Sequence, residues 1–379
     1  MFKFKFIMDL FQSEIMTGPY VEANIRAKWL TRLCPPDLKI AFAPNKGQVP
    51  LYNSNPIIIE KNRLGWWNHY VQNYTSDFVL RKKDGGNWSL GPNIDLSIPL
   101  GKEVPMMVSS NFQKGFILDN INYPADLIHV IPNIIDSDLF FPRPKANQMT
   151  VGWIGHDVGQ LLKGPEVIPF LARKFPEVNF EMIHSAKPAF QNEWLKEELP
   201  NIKIMYGISH YDMPKIVGRW HAMICGSKTE NCPNQIIEAM GCGVPVIAAA
   251  LDGIPEVAKT QILLPDMKWE TPSQGDRFNR WTTESLENFA AALEDLLHEQ
   301  EKLEFYREMA LTESKNFSPQ VIAQKWFEFM YFCRDRYGGN DSVKPQKKRS
   351  KIGNREKKQS RRQTTQALKN KVRNKRGRI

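Results

Sequence analysis

From residue 150 onward, the apolar positions fall into two alternating rhythms. Unbroken apolar runs at TVGWIGH (150–156), VNFEMIH (178–184), IKIMYG (202–207), AMICGS (222–227), VPVIAAA (244–250) and ILLPD (262–266) read as strands. Between them, apolar residues recur three and four apart. Pro165 to Lys174 carries Val167, Ile168 and Leu171 on one face, and QNEWLKEEL (191–199), HYDMPKIVGRW (210–220) and Pro233 to Met240 read as further helices. Strands that are apolar throughout are covered on both faces, so this rhythm predicts a parallel sheet wrapped by helices. Such a sheet binds its ligand at the carboxyl ends of its strands.

The first 140 residues carry a fainter version of the pattern. FKFIMDLF reads as a strand, and the segment after Gly18-Pro19 as a helix with Val21, Ile25, Trp29 and Leu33 in one stripe. LKIAFAP, PIIIE, DFVLRK, PMMVSS and IHVIP are the other strand candidates, and together they predict a smaller second sheet. Beyond the last strand the pattern predicts one long helix from Thr283 to about Leu311. Another follows, opened by Ser318-Pro319, with Ile322, Trp326, Phe329 and Cys333 as its apolar stripe. The expected domains are residues 1–145, 146–315, a crossover helix at 316–338 and a tail at 339–379.

Composition fits this picture. A chain of 379 residues, 42% apolar and 24% charged, suits two soluble globular domains. No window reaches the ~20 apolar residues of a membrane span. Lys3, Lys5, Asp9 and Glu14 interrupt the N-terminus, which makes it a poor secretion signal. Five cysteines without CxxC spacing read as reduced thiols in a cytoplasmic protein. The net charge of +10 belongs to the tail: from Ser342 on there are nine Lys and seven Arg against one acid, a net +15, which leaves about −5 on the residues before it. With little to bury, residues 342–379 are expected to be disordered and to attract a polyanion, either DNA or RNA or an anionic membrane. A plain solubilising role stays open beside these.

The stretch ENCPNQIIEAMGCGVPVIAAA (230–250) concentrates the chemistry. Pro233 has no amide hydrogen and cannot sit inside a helix, so a helix begins beside it, with Glu230 in the preceding loop and Glu238 within. Gly241 and Gly243 supply the stop signal. The amides of Asn231, Cys232, Asn234 and Gln235, with Pro233 among them, would face an anion at the helix's positive end. Lys163, in the loop after the first strand of this domain, would close on the same phosphates. A carboxylate suited to a ribose diol completes a site for a nucleotide diphosphate sugar. Either acid taken alone reads equally well as surface decoration.

The segment KTENCPNQIIEAMGCGVPVIAAALDGIPEVA resembles the donor-site signature of the retaining family-4 glycosyltransferases (glycosyl transferases group 1) with the GT-B fold. Its elements stand at Glu230, Glu238, Ala239, Met240, Gly243, Pro245, Val246, Gly253, Pro255 and Glu256. HVIPNIIDSDLFFP (129–142) resembles the family's interdomain segment, and Lys163-Gly164 its KG pair. The resemblance covers about residues 105–335. It implies two Rossmann-like doubly wound domains facing a cleft, with a C-terminal helix crossing back. It also implies an enzyme that moves a sugar from a UDP-, GDP- or ADP-sugar with retention, without metal or other cofactor. Glu230 would contact the sugar, Glu238 the ribose, and Lys163 with the amides of residues 231–234 the leaving diphosphate. The Tyr206–Ser209 stretch, with Gly207, would lie along the nucleobase. His156 stands where the family carries an Arg, and either supplies a second cation or fills the loop. The family's N-terminal glycine-rich loop is reduced to TGPY, with Gly18 its one glycine.

The acceptor stays open among a glycan, a lipid-linked glycan and a modified nucleic acid, as does the oligomeric state. Peripheral attachment to a membrane or to nucleic acid would come through the tail. The aromatic cluster GWWNHYVQNY (65–74), which contains His69, reads more readily as packing than as an acceptor platform. From other classes, a nucleic-acid-binding protein with a vestigial sugar site and a sugar-nucleotide epimerase on the same fold remain as alternatives. A phosphorylase would show a pyridoxal lysine context that the sequence lacks.

Overall fold

The computed structural model describes residues 2–7, 18–43, 57–61, 65–71, 73–74, 80–82, 88–90, 94–95, 105–120, 122–155, 162–184, 199–270 and 280–338, with residues 2–23 and 41–95 at backbone level. Residues 1–335 form one compact unit and residues 336–379 another, of which the end of the last helix is described. His156, the basic tail from 342, and most of the helix expected at 191–199 lie outside the described residues.

In the N-terminal half, β1 (Phe2–Ile7), α1 (Gly18–Arg32) and β2 (Leu38–Ala43) form a parallel crossover unit, since strands joined through a helix return in the same direction. β3 (Ile57–Lys61) and β4 (Gly65–Val71) are three residues apart in sequence and therefore pair as an antiparallel hairpin, giving the order β2-β1-β3-β4. β5 (Asn73–Tyr74) joins β9 (Met106–Val108) and β10 (Ile128–Val130) in a parallel sheet. β6 (Leu80–Lys82), β7 (Trp88–Leu90) and β8 (Ile94–Asp95) make a small meander. The strands expected in one smaller sheet are thus shared among three, because short links force hairpins where the apolar pattern alone is silent. Between β9 and β10 lies α2 (Asn111–Asn120).

The C-terminal half is regular. β11 (Thr150–Gly155), β12 (Asn179–His184), β13 (Ile202–Tyr206), β14 (Ala222–Cys225), β15 (Val246–Ala249) and β16 (Ile262–Leu264) form one sheet in the order β13-β12-β11-β14-β15-β16. Every neighbouring pair is parallel. The chain starts in the middle at β11, winds outward to β13, then returns to build β14 to β16 on the other side. A crevice therefore opens where β11 and β14 part. The helices are α3 (Val167–Lys174), α4 (Met213–Val217), α5 (Asn234–Gly241) and α6 (Ile254–Val257). Alternate residues of each strand feed opposite cores: Met223 and Cys225 join Ile236, Ile237 and Met240 of α5, while Ala222 and Ile224 join Val167 and Leu171 of α3. Each such fully buried aliphatic side chain is worth roughly 1.5–3 kcal/mol.

Three expectations are corrected in detail. The single helix from Thr283 is two, α7 (Thr283–His298) and α8 (Gln300–Ser314), parted at Glu299, whose backbone is extended (φ −121°, ψ 112°). No proline or glycine marks the break; α7 packs on α3 while α8 packs on α5, and the chain must turn to reach both. The helix expected over 210–220 is the short α4, with Pro214 in its first turn. Of the two stop glycines, Gly241 is the last residue of α5 and Gly243 ends it: Gly243 (φ 64°) donates its amide to Met240 and Val244 donates to Ala239, a Schellman closure that needs the left-handed backbone glycine permits.

The last helix, α9 (Pro319–Gly338), buries Ile322, Trp326, Phe329 and Cys333 as expected and returns to the N-terminal half. There Trp326 lies under the Arg26 guanidinium of α1, at 4.6 Å, and Tyr331 donates to Asp37 at 2.9 Å. No helix among the described residues is long and apolar enough to cross a membrane.

Candidate functional site

Two loops meet at the crevice between β11 and β14. Gly164 has φ 58°, and a Cβ there would stand 1.9 Å from the Gly226 carbonyl, so only glycine lets the loops touch. Tryptophans fasten the junction: Trp153 donates to the Lys163 carbonyl at 3.0 Å, and Trp281 to the Gly226 carbonyl at 2.8 Å. Lys163 is thereby carried across the crevice, and its ammonium donates to Glu230 Oε1 at 2.7 Å. Ser227 Oγ and Gln235 Nε2 donate to the same oxygen, each at 2.8 Å. Glu230 is only 6% exposed, so its charge is compensated by this cation and two neutral donors rather than by water.

The helix begins one residue later than Pro233, which serves as its N-cap. Asn133, from the interdomain IPN segment, holds the entry: its side-chain amide donates to the Cys232 carbonyl at 2.9 Å and to Asn234 Oδ1 at 2.7 Å. Ile236 and Ile237 donate to the Pro233 carbonyl, so the amides of Asn234 and Gln235 precede the intrahelical ladder, at the positive end of α5. Gln235 reaches Glu230 from this turn, which places the helix end beside the Lys163–Glu230 pair. The Asn231 side chain faces the other way, bonding Ser109, Ser110 and Gln113 of the N-terminal half.

Glu238 follows Gln235 by three residues and so shares its face of α5, one turn further in. It is buried, with His210 Nδ1 at 3.8 Å, too far for a hydrogen bond. Burial, reinforced by the nearby charge of Asp136, pushes the Glu238 carboxyl up to about 8. Burial likewise pushes His210 down to about 4. In both, burial favours the uncharged form. Asp136 is held by Lys28 of α1, at 2.6 and 2.9 Å.

The remaining candidates lie apart from this pair. Gly207 (φ 61°) ends β13 and donates to the His184 carbonyl at 3.0 Å, beside the half-exposed Tyr206 ring that leans on His184. Gly18 is the first residue of α1. Among the described residues, no group of three or more His, Cys, Asp or Glu is gathered as metal ligands. Sequence reasoning missed Ser227, His210 and Asn133, and named Gln235 for its backbone amide but not for its side chain. Asn133 and Gln235 lie within the two segments carrying the resemblance, whereas nothing in the sequence marks Ser227 or His210.

Residues 158–299 match the family model described as Glycosyl transferases group 1. That match spans 142 of the 379 residues. A phosphatidylinositol N-acetylglucosaminyltransferase subunit of Homo sapiens is 26% identical over 148 residues, 37% of this chain and 30% of the relative. O-antigen chain mannosyltransferase B of Escherichia coli is 23% identical over 206 residues, 48% of this chain and 51% of that one. The chain therefore spans about a third to a half of the curated relatives it matches. A chain of the GtfA/B complex superposes with TM-score 0.52 at 14% identity, covering 69% of this chain and 53% of its own length. The fold is GT-B.

Proposed function

We propose that the protein is a retaining glycosyltransferase of family 4 that takes its sugar from a nucleotide diphosphate donor. The observation carrying this reading is the Lys163–Glu230 pair at the switch point, beside the amino end of α5. An incoming diphosphate would draw the Lys163 ammonium and the α5 amides to itself. Glu230, still oriented by Ser227 and Gln235, would then be free to accept hydrogen bonds from the sugar. Glu238 would take the ribose diol, and Tyr206 to Ser209 would flank the base. Charge develops on the departing diphosphate, so a lysine and a helix end that grip it more tightly than the intact donor lower the barrier without a metal. The transition state would be oxocarbenium-like. The nucleotide is uridine, guanosine or adenosine.

Among the acceptors considered, the names of the relatives favour a lipid or a glycan chain over nucleic acid: one is named for phosphatidylinositol, the other for an O-antigen chain. The +15 tail would then hold the enzyme on an anionic membrane surface. Thermal shift with UDP-, GDP- and ADP-sugars tests the donor site, because a ligand bound only by the native state raises the melting temperature. One nucleotide series should stabilise the protein and be hydrolysed slowly without acceptor. If none stabilises it and none is turned over, the reading is wrong.

A further inference from the structure

The amino end of α2, in the N-terminal half, is completed by residues from the other half. Its first two amides, at Asn111 and Phe112, have no partner within the helix. Both donate to the Glu256 carboxylate, Asn111 to Oε2 at 2.7 Å and Phe112 to Oε1 at 2.6 Å, and Asn111 Nδ2 adds a bond to Oε2 at 2.9 Å. The third amide, at Gln113, donates to Ser110 Oγ at 3.1 Å, and that hydroxyl in turn donates to Asn231 Oδ1. Asn231 Nδ2 donates to Ser109 Oγ and to Gln113 Oε1, each at 2.6 Å. Asn231 is buried, 4% exposed, and its side-chain oxygen and nitrogen are both engaged by the N-terminal half.

The two gripping residues are one mechanical piece. Gly253 donates to the Glu230 carbonyl at 2.9 Å, and a Cβ on it would stand 1.7 Å from the Asn231 carbonyl. The turn carrying Glu256 is therefore packed directly onto the loop carrying Glu230 and Asn231. A carboxylate on a helix's positive end is favourable, and here it is available only when the halves are docked.

We propose that Asn231 and Glu256 are positioning residues that lock the Glu230 loop to the start of α2, so that Glu230 reaches its working geometry only when the Ser109–Gln113 segment is seated against it. The inference rests on the glycosyltransferase reading. It assigns the two side chains no contact with the donor: they act through the position of Glu230.

The test compares the full-length protein with Glu256→Ala, Glu256→Gln and Asn231→Ala, using the nucleotide sugar that stabilises the wild type. Three quantities are read: donor Kd by calorimetry, kcat for transfer or hydrolysis, and hydrogen exchange of the 111–113 amides. Expected are a fall in kcat of about tenfold or more for Glu256→Ala and a Kd within about threefold of wild type. Amides 111 and 112 should exchange faster while β11 to β15 keep their protection, and Glu256→Gln should be intermediate. Unchanged kcat with donor still bound overturns the proposal and leaves the enzyme reading intact. Loss of Kd and kcat together, with protection lost throughout the sheet, also overturns it, since that marks a purely structural role. A wild type that binds no sugar nucleotide takes both readings down.

Discussion

The two acids of the E-x7-E pair occupy opposite environments eight residues apart. Glu230, in a loop, has a lysine and two neutral donors converging on one oxygen. Glu238, inside α5, is buried against His210 and Asp136, and its carboxyl is pushed up to about 8. A loop can bend to bring partners to a charge, whereas a helix face packed in a core cannot. One acid has a cation and two donors already in place; the other has its carboxyl raised by burial and awaits hydrogen-bond donors such as sugar hydroxyls.

Removing the charge of Glu230 breaks the comparison most directly. Glu230→Gln should lower turnover by about 10²–10³-fold, the scale of losing a group that meets developing charge, while the fold persists. Single-turnover rates and melting temperature measured together check this; retention of a tenth of the activity would leave the carboxylate without its assigned role. Gly164→Ala attacks the junction that delivers Lys163. The φ of 58° and the 1.9 Å approach to Gly226 both oppose a side chain, so a loss of about 3 kcal/mol in denaturant unfolding is expected. Lys163→Met leaves Glu230 buried without its cation. Because Lys163 remains 20% exposed, about 2 kcal/mol of destabilisation is expected, with donor affinity at least about tenfold weaker by calorimetry.

Glu238→Gln sharpens the contrast with the smallest effect. The folded carboxyl titrates near 8 against 4.5 for the free group, so the native state holds the proton more tightly. Its contribution to stability is complete below about 4.5 and is lost as pH rises toward about 8. The melting temperature should therefore fall less over that range in Glu238→Gln than in wild type. Ribose hydroxyls favour the ionised carboxylate, so donor affinity should rise with pH up to about 8 and flatten in the variant. A wild-type affinity indifferent to pH would remove Glu238 from the ribose.

Much of the C-terminal half was legible in the residue pattern alone. Its strands are buried on both faces, and unbroken apolar runs such as VPVIAAA say so directly. The N-terminal half was less legible, since β3 and β4 pair through a short link and the apolar pattern does not encode strand direction. The break at Glu299 was invisible for a related reason: two helices separate there because they pack on different partners. Glu230, Lys163 and the start of α5 were readable because proline and glycine punctuate that region. Ser227 and His210 were not, as each is an ordinary residue until the fold brings it to an acid.

The chain's own order of residues determined which segments become strands, where α5 starts and stops, and which acids stand before and within it, because these depend on side-chain periodicity and on backbone freedom at single positions. Only the tertiary structure decided that Lys163 meets Glu230, that burial raises the Glu238 carboxyl, and that Glu256 caps a helix 144 residues earlier in the chain. Ion pairing, desolvation and helix capping across such separations depend on distances through space, and those are set only when the sheets and helices have packed.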